Sequence, residues 1–258
     1  MTLNRYVTKI PEIIEKIDSE GIELPDLTER AFIGNGNAFH VARLYAMQYN
    51  GTVFRAEEVK RLSKDQKVCV ISASGGKDSI EVTKHFNDAI LLTCNPNAPS
   101  KDYSSFCVSL PAEKEPPFYN VTTYAGMIYL LDRAKLKNPY EDKLLLKELD
   151  YSAIIFIASL KTHPIASMAA LKMREIFGKM ALSLTREEAY HGWFLHPTKY
   201  EGLVTVDTDF EFNSPYKLSG SLLNLLTHLY YNIGLLQEKI VPNSPDYERI
   251  LKLRNWKL

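Results

Sequence analysis

Residues 68–79 read Val68-Cys69-Val70-Ile71-Ser72-Ala73-Ser74-Gly75-Gly76-Lys77-Asp78-Ser79. The first four are apolar and β-prone without helical spacing, which suits a strand buried on both faces. The hydroxyls and glycines that follow suit a tight turn. Residues 80–86 then take a helix-like pattern. In that order, strand, turn and helix start leave unpaired backbone N–H groups and the partial positive charge of a helix N-terminus at the turn, a place that favours phosphate or another oxyanion. Lys77 adds a full positive charge there. The same residues also read as a plain strand-to-helix turn, with Ser and Gly chosen for geometry.

On either side the pattern repeats. Residues 31–33 form a short apolar run followed by Gly34-Asn35-Gly36-Asn37 and a helical stretch over 39–49, and residues 52–55 and 56–62 suit a strand and a short helix. Strand-like runs over 89–94 and 106–110 lead to a helix over 122–134. Strands alternating with helices imply a parallel, doubly wound sheet. A second series begins after the lysine-rich stretch 135–147: strands at 153–158, 180–184 and 203–206, with helices at 164–176, 187–192 and 218–239. The expected fold class is α/β in two halves, each a parallel sheet flanked by helices. The expected organisation is a helical entry segment 1–30 broken by Pro11, Gly21 and Pro25, a first half 31–140, a second half 141–240 and a tail 241–258.

Composition excludes some function classes. Lys plus Arg and Asp plus Glu both total 31 in 258 residues, so no global field draws the chain to nucleic acid or an anionic membrane, and an anion site must be local. Cys69, Cys94 and Cys107 lack CxxC spacing and read as buried, reduced thiols. Neither a signal-peptide core at residues 1–9 nor a long apolar run is present, so a cytoplasmic location without membrane partners is expected. The histidines lack metal-ligand spacing, so no metal is expected. Gly34-Asn35-Gly36 is a weak dinucleotide fingerprint because Phe39 stands where its third glycine belongs, so no nicotinamide cofactor is expected.

Two α/β halves, a GxG turn after the first strand and Ser-x-Ser-Gly after a later one resemble the sugar isomerase (SIS) family of phosphosugar-binding proteins over roughly residues 30–240. Ser72-Ala73-Ser74-Gly75-Gly76-Lys77 is similar to that family's Ser-x-Ser-Gly-x-Thr phosphate loop, with Lys77 where threonine is usual. In the second half, Ala170-Leu171-Lys172-Met173-Arg174-Glu175 and Glu188-Ala189-Tyr190-His191-Gly192 look like segments of the glucosamine-6-phosphate synthase branch, and the interval from Glu175 to His191 matches without a gap. The resemblance implies Glu175 as the base moving a proton between C1 and C2, and His191 as the ring-opening group. It implies Asn37, Ser72, Ser74, Gly75, Lys77, Thr122 and Thr123 as the residues holding a phosphorylated sugar, with Glu188 and Lys252 as further candidates. It implies a homodimer, and no cofactor.

The match has departures. Ala38 replaces a usual hydroxyl residue, Met168 a usual glutamate, and Ala158-Ser159-Leu160-Lys161 a glycine-bearing segment. Glu175 also reads as a surface glutamate paired with Lys172 three residues earlier, and His191 as a helix-capping or structural group. Ser74-Gly75-Gly76-Lys77-Asp78-Ser79 further resembles the SGGxDS pyrophosphate loop of ATP pyrophosphatases, although that motif follows the first strand of its domain. Two readings lead: a phosphosugar isomerase or related enolising enzyme, of deaminase or deglycase type, and a phosphosugar-binding module without catalysis.

Overall fold

In the computed structural model, residues 2–116, 118–137, 153–193, 201–208 and 216–240 are described. The chain divides into two units. The first comprises Lys9–Pro116 and Asn120–Arg133, and the second Met1–Thr8, Pro117–Tyr119 and Ala134–Leu258. The entry segment is shared between them: α1 (Asn4–Val7) belongs to the second unit and α2 (Ile10–Ser19) to the first. Pro11 does not break α2. It occupies the first turn, where the missing N–H would have had no helical partner in any case.

The first unit is built on β1 (Ala31–Gly34), β2 (Val53–Arg55), β3 (Val68–Ile71), β4 (Ala89–Thr93) and β5 (Phe106–Ser109), all parallel, in the order β2-β1-β3-β4-β5. Every residue of β1, β3 and β4 is buried, while β2 and β5 at the edges are partly exposed. Central strands of a parallel sheet are covered on both faces, which explains their unbroken apolar runs. Alternation along the strands divides the packing. Ala31, Ile33, Val68, Val70, Ala89 and Leu91 meet Val82 and Phe86 on the side of α4 (Lys77–His85). On the other face Phe32 stacks with Tyr49 and lies beside Tyr45, both contributed by or adjoining α3 (Asn37–Gln48). The Tyr45 hydroxyl donates to the Met127 carbonyl at 2.8 Å, joining α3 to α5 (Val121–Asp132).

The second unit has β6 (Ala153–Ala158), β7 (Met180–Thr185), β8 (Glu201–Val206) and β9 (Tyr216–Leu218), again parallel, in the order β7-β6-β8-β9. β9 has only three residues, too few to carry a period, and was not expected. α6 (His163–Phe177) packs on β6 and β7 and against α8 (Leu222–Ile240), with α1 also on α8. The short helix expected after β7 is α7 (Arg186–Glu188), continued by a wider π-helical turn, Ala189–Trp193. Among the described residues no helix is long and apolar enough to cross a membrane. The chain is thus α/β with two parallel sheets flanked by helices.

Candidate functional site

In the first sheet the chain leaves β1 towards β2 on one side and returns to place β3 on the other, so the strand order reverses between β1 and β3. Ligands of open parallel sheets bind in the crevice beyond the carboxyl ends of strands at such a point. A cleft of about 370 Å³ lies there, within the range of small-ligand pockets. Its walls include Gly34 at the end of β1 and Asn35 beyond it, Ser72, Ser74, Gly76 and Lys77 after β3, and Asn120 and Tyr124 from the start of α5.

The loop after β3 is fastened from behind. The Ala73 carbonyl accepts from the Cys94 N–H and the Thr93 hydroxyl, the Ser74 carbonyl from Asn95 Nδ2 at 2.9 Å, and the Gly75 carbonyl from the Ser100 N–H at 3.3 Å. The Ser72 hydroxyl accepts the Gly75 N–H at 3.1 Å. With these carbonyls drawn towards the segment after β4, the N–H groups of Gly76, Lys77, Asp78 and Ser79 have no acceptor among the described residues, and no side chain caps α4. Four adjacent donors at the N-terminus of a nine-residue helix form an anion cradle. The turn needs glycine at Gly75: its φ is +61°, and a Cβ would lie 2.3 Å from that of Ala98. Gly34 is required by close approach, since a Cβ there would come within 2.6 Å of the Ala38 backbone.

Side chains complete the cleft. Lys77 is exposed and lines it, as does Asp78, whose carboxylate accepts from Asn35 Nδ2 at 2.8 Å. The buried Ser79 hydroxyl donates to the Gly76 carbonyl at 2.7 Å. Cys69 is buried and Cys94 partly buried, and desolvation pushes both thiols up to about 12, which leaves them protonated and inert near neutral pH.

Of the residues singled out in the first half, Ser72, Ser74 and Lys77 line one cleft, and Gly75 forms its rear hinge. Asn37 is buried at the start of α3 and is not among the lining residues, whereas Asn35, two positions earlier, is. Thr122 and Thr123 are buried and also do not line it. The Thr122 hydroxyl and N–H both donate to the Glu115 carboxylate, which takes the Val121 N–H as well at 2.5 Å. The N-terminus of α5 is thereby capped by an anion from within the chain. Asn35, Asn120 and Tyr124 were missed. Asn120 carries one readable signal, an asparagine directly before a helix in a left-handed conformation (φ 46°).

Glu175, His191 and Glu188 lie in the second unit, and none lines the cleft. The Glu175 side chain, 15% exposed, accepts from Lys172 Nζ at 2.7 Å; Lys172 is 1% exposed and also donates to the Phe118 carbonyl. A carboxylate fixed in this manner is positioned. Glu188 is held in a capping box with Thr185, taking its N–H at 2.7 Å. His191 is exposed in the π-helical turn. Met168 is fully buried in the core, and Lys252 falls outside the described residues.

No protein-family model and no curated protein sequence matches the chain. Solved structures do. The C-terminal domain of glucosamine-fructose-6-phosphate aminotransferase from Francisella tularensis superposes with a TM-score of 0.71 at 14% identity, covering 92% of this chain and 96% of that one. Glucosamine-6-phosphate deaminase from Thermotoga maritima gives 0.67 at 12% identity, covering 96% and 97%. Tagatose-6-phosphate ketose/aldose isomerase from Escherichia coli gives 0.62 at 14%, covering 95% and 93%. Each match spans more than nine-tenths of this chain, and the chain has the fold of the sugar isomerase (SIS) proteins.

Proposed function

We propose that the chain binds a phosphorylated sugar through the first-unit cradle and acts on it as an aldose-ketose isomerase or a related enolising enzyme of deaminase or deglycase type. The observation that carries this reading is the row of acceptor-free N–H groups from Gly76 to Ser79, facing a cleft at the strand-order reversal. Phosphate is the anion that such a row suits. The loop hydroxyls and Lys77 add donors, and Asn35, Asn120 and Tyr124 offer polar contacts to the sugar.

Proton transfer between C1 and C2 needs one base and a group to open the ring. In this reading Glu175 is the base, oriented by Lys172, and His191 works on the ring oxygen, a task suited to imidazole near neutral pH. No step calls for a metal. A homodimer in the cytoplasm is part of the proposal.

Binding without turnover is the second reading, favoured by the Lys172–Glu175 ion pair and by apolar Met168 where a further carboxylate belongs. Incorporation of solvent deuterium at C1 or C2 of fructose 6-phosphate or glucosamine 6-phosphate separates the two. Exchange that disappears in Glu175→Gln supports the enzyme. Saturable binding without exchange supports the module, and absence of phosphosugar binding refutes both.

A further inference from the structure

The second sheet carries a cleft of its own, about 500 Å³ in volume. Ser159 after β6, Arg186 and Glu187 after β7, Asp207 after β8 and Lys217 in β9 all line it. The order β7-β6-β8-β9 reverses between β6 and β8, so the rule that places a ligand crevice at the first sheet's reversal applies here a second time. The strand ends are tied by side chains: Thr162 Oγ1 donates to the Val206 carbonyl at 3.1 Å, and the Ser159 and Thr162 hydroxyls lie 2.8 Å apart. Asp207, directly beyond β8, takes a left-handed conformation (φ 48°), and its N–H is bonded to the Leu218 carbonyl at 2.6 Å.

The charges in this cleft are not spent on each other. Among the described residues no ion pair or hydrogen bond engages the side-chain charges of Arg186, Glu187, Asp207 or Lys217. The Arg186 guanidinium lies 5.6 Å from the Tyr190 ring centre, which restrains it without neutralising it. Two cations facing two carboxylates offer little to a simple anion, because attraction and repulsion nearly cancel. A molecule with an acid group and several hydroxyls uses all four: the acid pairs with Arg186 and Lys217, and the hydroxyls donate to Asp207 and Glu187. We infer that the second unit holds a separate binding site for a small polyhydroxylated acid anion at the carboxyl ends of β6–β9. The acid is a carboxylate or a phosphate on a sugar chain. This site does not depend on the first-unit cradle.

Calorimetric titration of the full chain with gluconate, glucose 6-phosphate, glucose and inorganic phosphate tests the inference. Gluconate, glucose 6-phosphate or both should give a binding event that weakens about tenfold or more in Arg186→Met/Lys217→Met. The same event should persist in Ser72→Ala/Ser74→Ala, which alters only the first-unit loop. Whether gluconate or glucose 6-phosphate gives that event identifies the acid group. Asp207→Asn is the second variant, because asparagine tolerates the left-handed conformation and the lost negative charge makes opposite predictions: a polyol acid should bind more weakly, whereas a simple anion would bind more tightly. The site is refuted if no event responds to Arg186→Met/Lys217→Met, if the event follows Ser72→Ala/Ser74→Ala instead, or if inorganic phosphate or glucose gives an event that is as tight as that of the polyol acids and is equally weakened in Arg186→Met/Lys217→Met.

Discussion

Replacing Gly75 with alanine tests how the cradle is held. An alanine at φ +61° carries the left-handed penalty of an L-residue, about 1–2 kcal/mol. Its Cβ would also sit 2.3 Å from that of Ala98 and 2.9 Å from Ser100 Oγ, both buried. Ala98 cannot yield easily, because its own N–H is bonded to the Asn95 carbonyl and its carbonyl accepts the Lys101 N–H. Overpacking of this kind costs about 1–3 kcal/mol, so Gly75→Ala should lose about 2–5 kcal/mol in urea unfolding followed by circular dichroism. The two contributions are separable. Ala98→Gly removes the methyl that is struck and leaves the torsion unchanged, so Gly75→Ala/Ala98→Gly should be more stable than the sum of the single variants by about 1–3 kcal/mol. Phosphosugar affinity should fall with Gly75→Ala, since displacing this residue moves the carbonyl that anchors the loop to Ser100. A loss below about 1 kcal/mol, or strict additivity in the double variant, refutes the packing argument.

Lys77→Thr should keep phosphosugar affinity within about tenfold by calorimetry, because the cradle binds chiefly through backbone donors; a hundredfold loss would mean that the lysine carries the site. Lys172→Met should destabilise the chain by about 2–4 kcal/mol, leaving Glu175 and the Phe118 carbonyl without their buried partner, and Glu175→Gln by about 1 kcal/mol, an order that urea midpoints report. Asp88 accepts from both Arg30 guanidinium nitrogens at 3.0 Å and from Ser105, and these bonds, Arg30 foremost, hold its carboxyl below the ordinary value. A depressed folded value stabilises the fold above the unfolded carboxyl's value and loses that contribution as pH falls through the folded one. Solvent screens this carboxylate, which is 36% exposed, so Asp88→Asn should cost about 1 kcal/mol at pH 7, a cost that shrinks as pH falls below the ordinary carboxyl range and through the depressed folded value.

Much of this fold is legible because buried parallel strands write themselves as continuous apolar runs: Val68-Cys69-Val70-Ile71 and Ala153 through Ala158 need no partner to be recognised. β9 was not legible, since three residues carry no period and its pairing to β8 is set by tertiary structure. Pro11 misled because proline disrupts a helix interior but not a first turn, and the distinction rests on where the helix begins. In the site, the Ser/Gly loop was readable from its chemistry. The choice of Asn35 over Asn37 as a lining residue depends on the torsions around Gly36 (φ +55°), which residue type alone does not specify. The engagement of Thr122 by Glu115, seven residues before it, is likewise a product of the loop's path.

The rearward fastening of residues 73–75 has a consequence for how the site records its purpose. In the proposed reading the groups offered to an anion are chiefly amide hydrogens, present at every position except proline, so most of the recognition information is stored in torsion angles and less in side-chain identity. Saturation mutagenesis of positions 73 and 78 should therefore find broad tolerance, with sharp intolerance at Gly75 and to proline at 77–79. Such a site can survive extensive divergence while leaving few letters to compare, and the shared fold is accompanied here by only 12–14% identity.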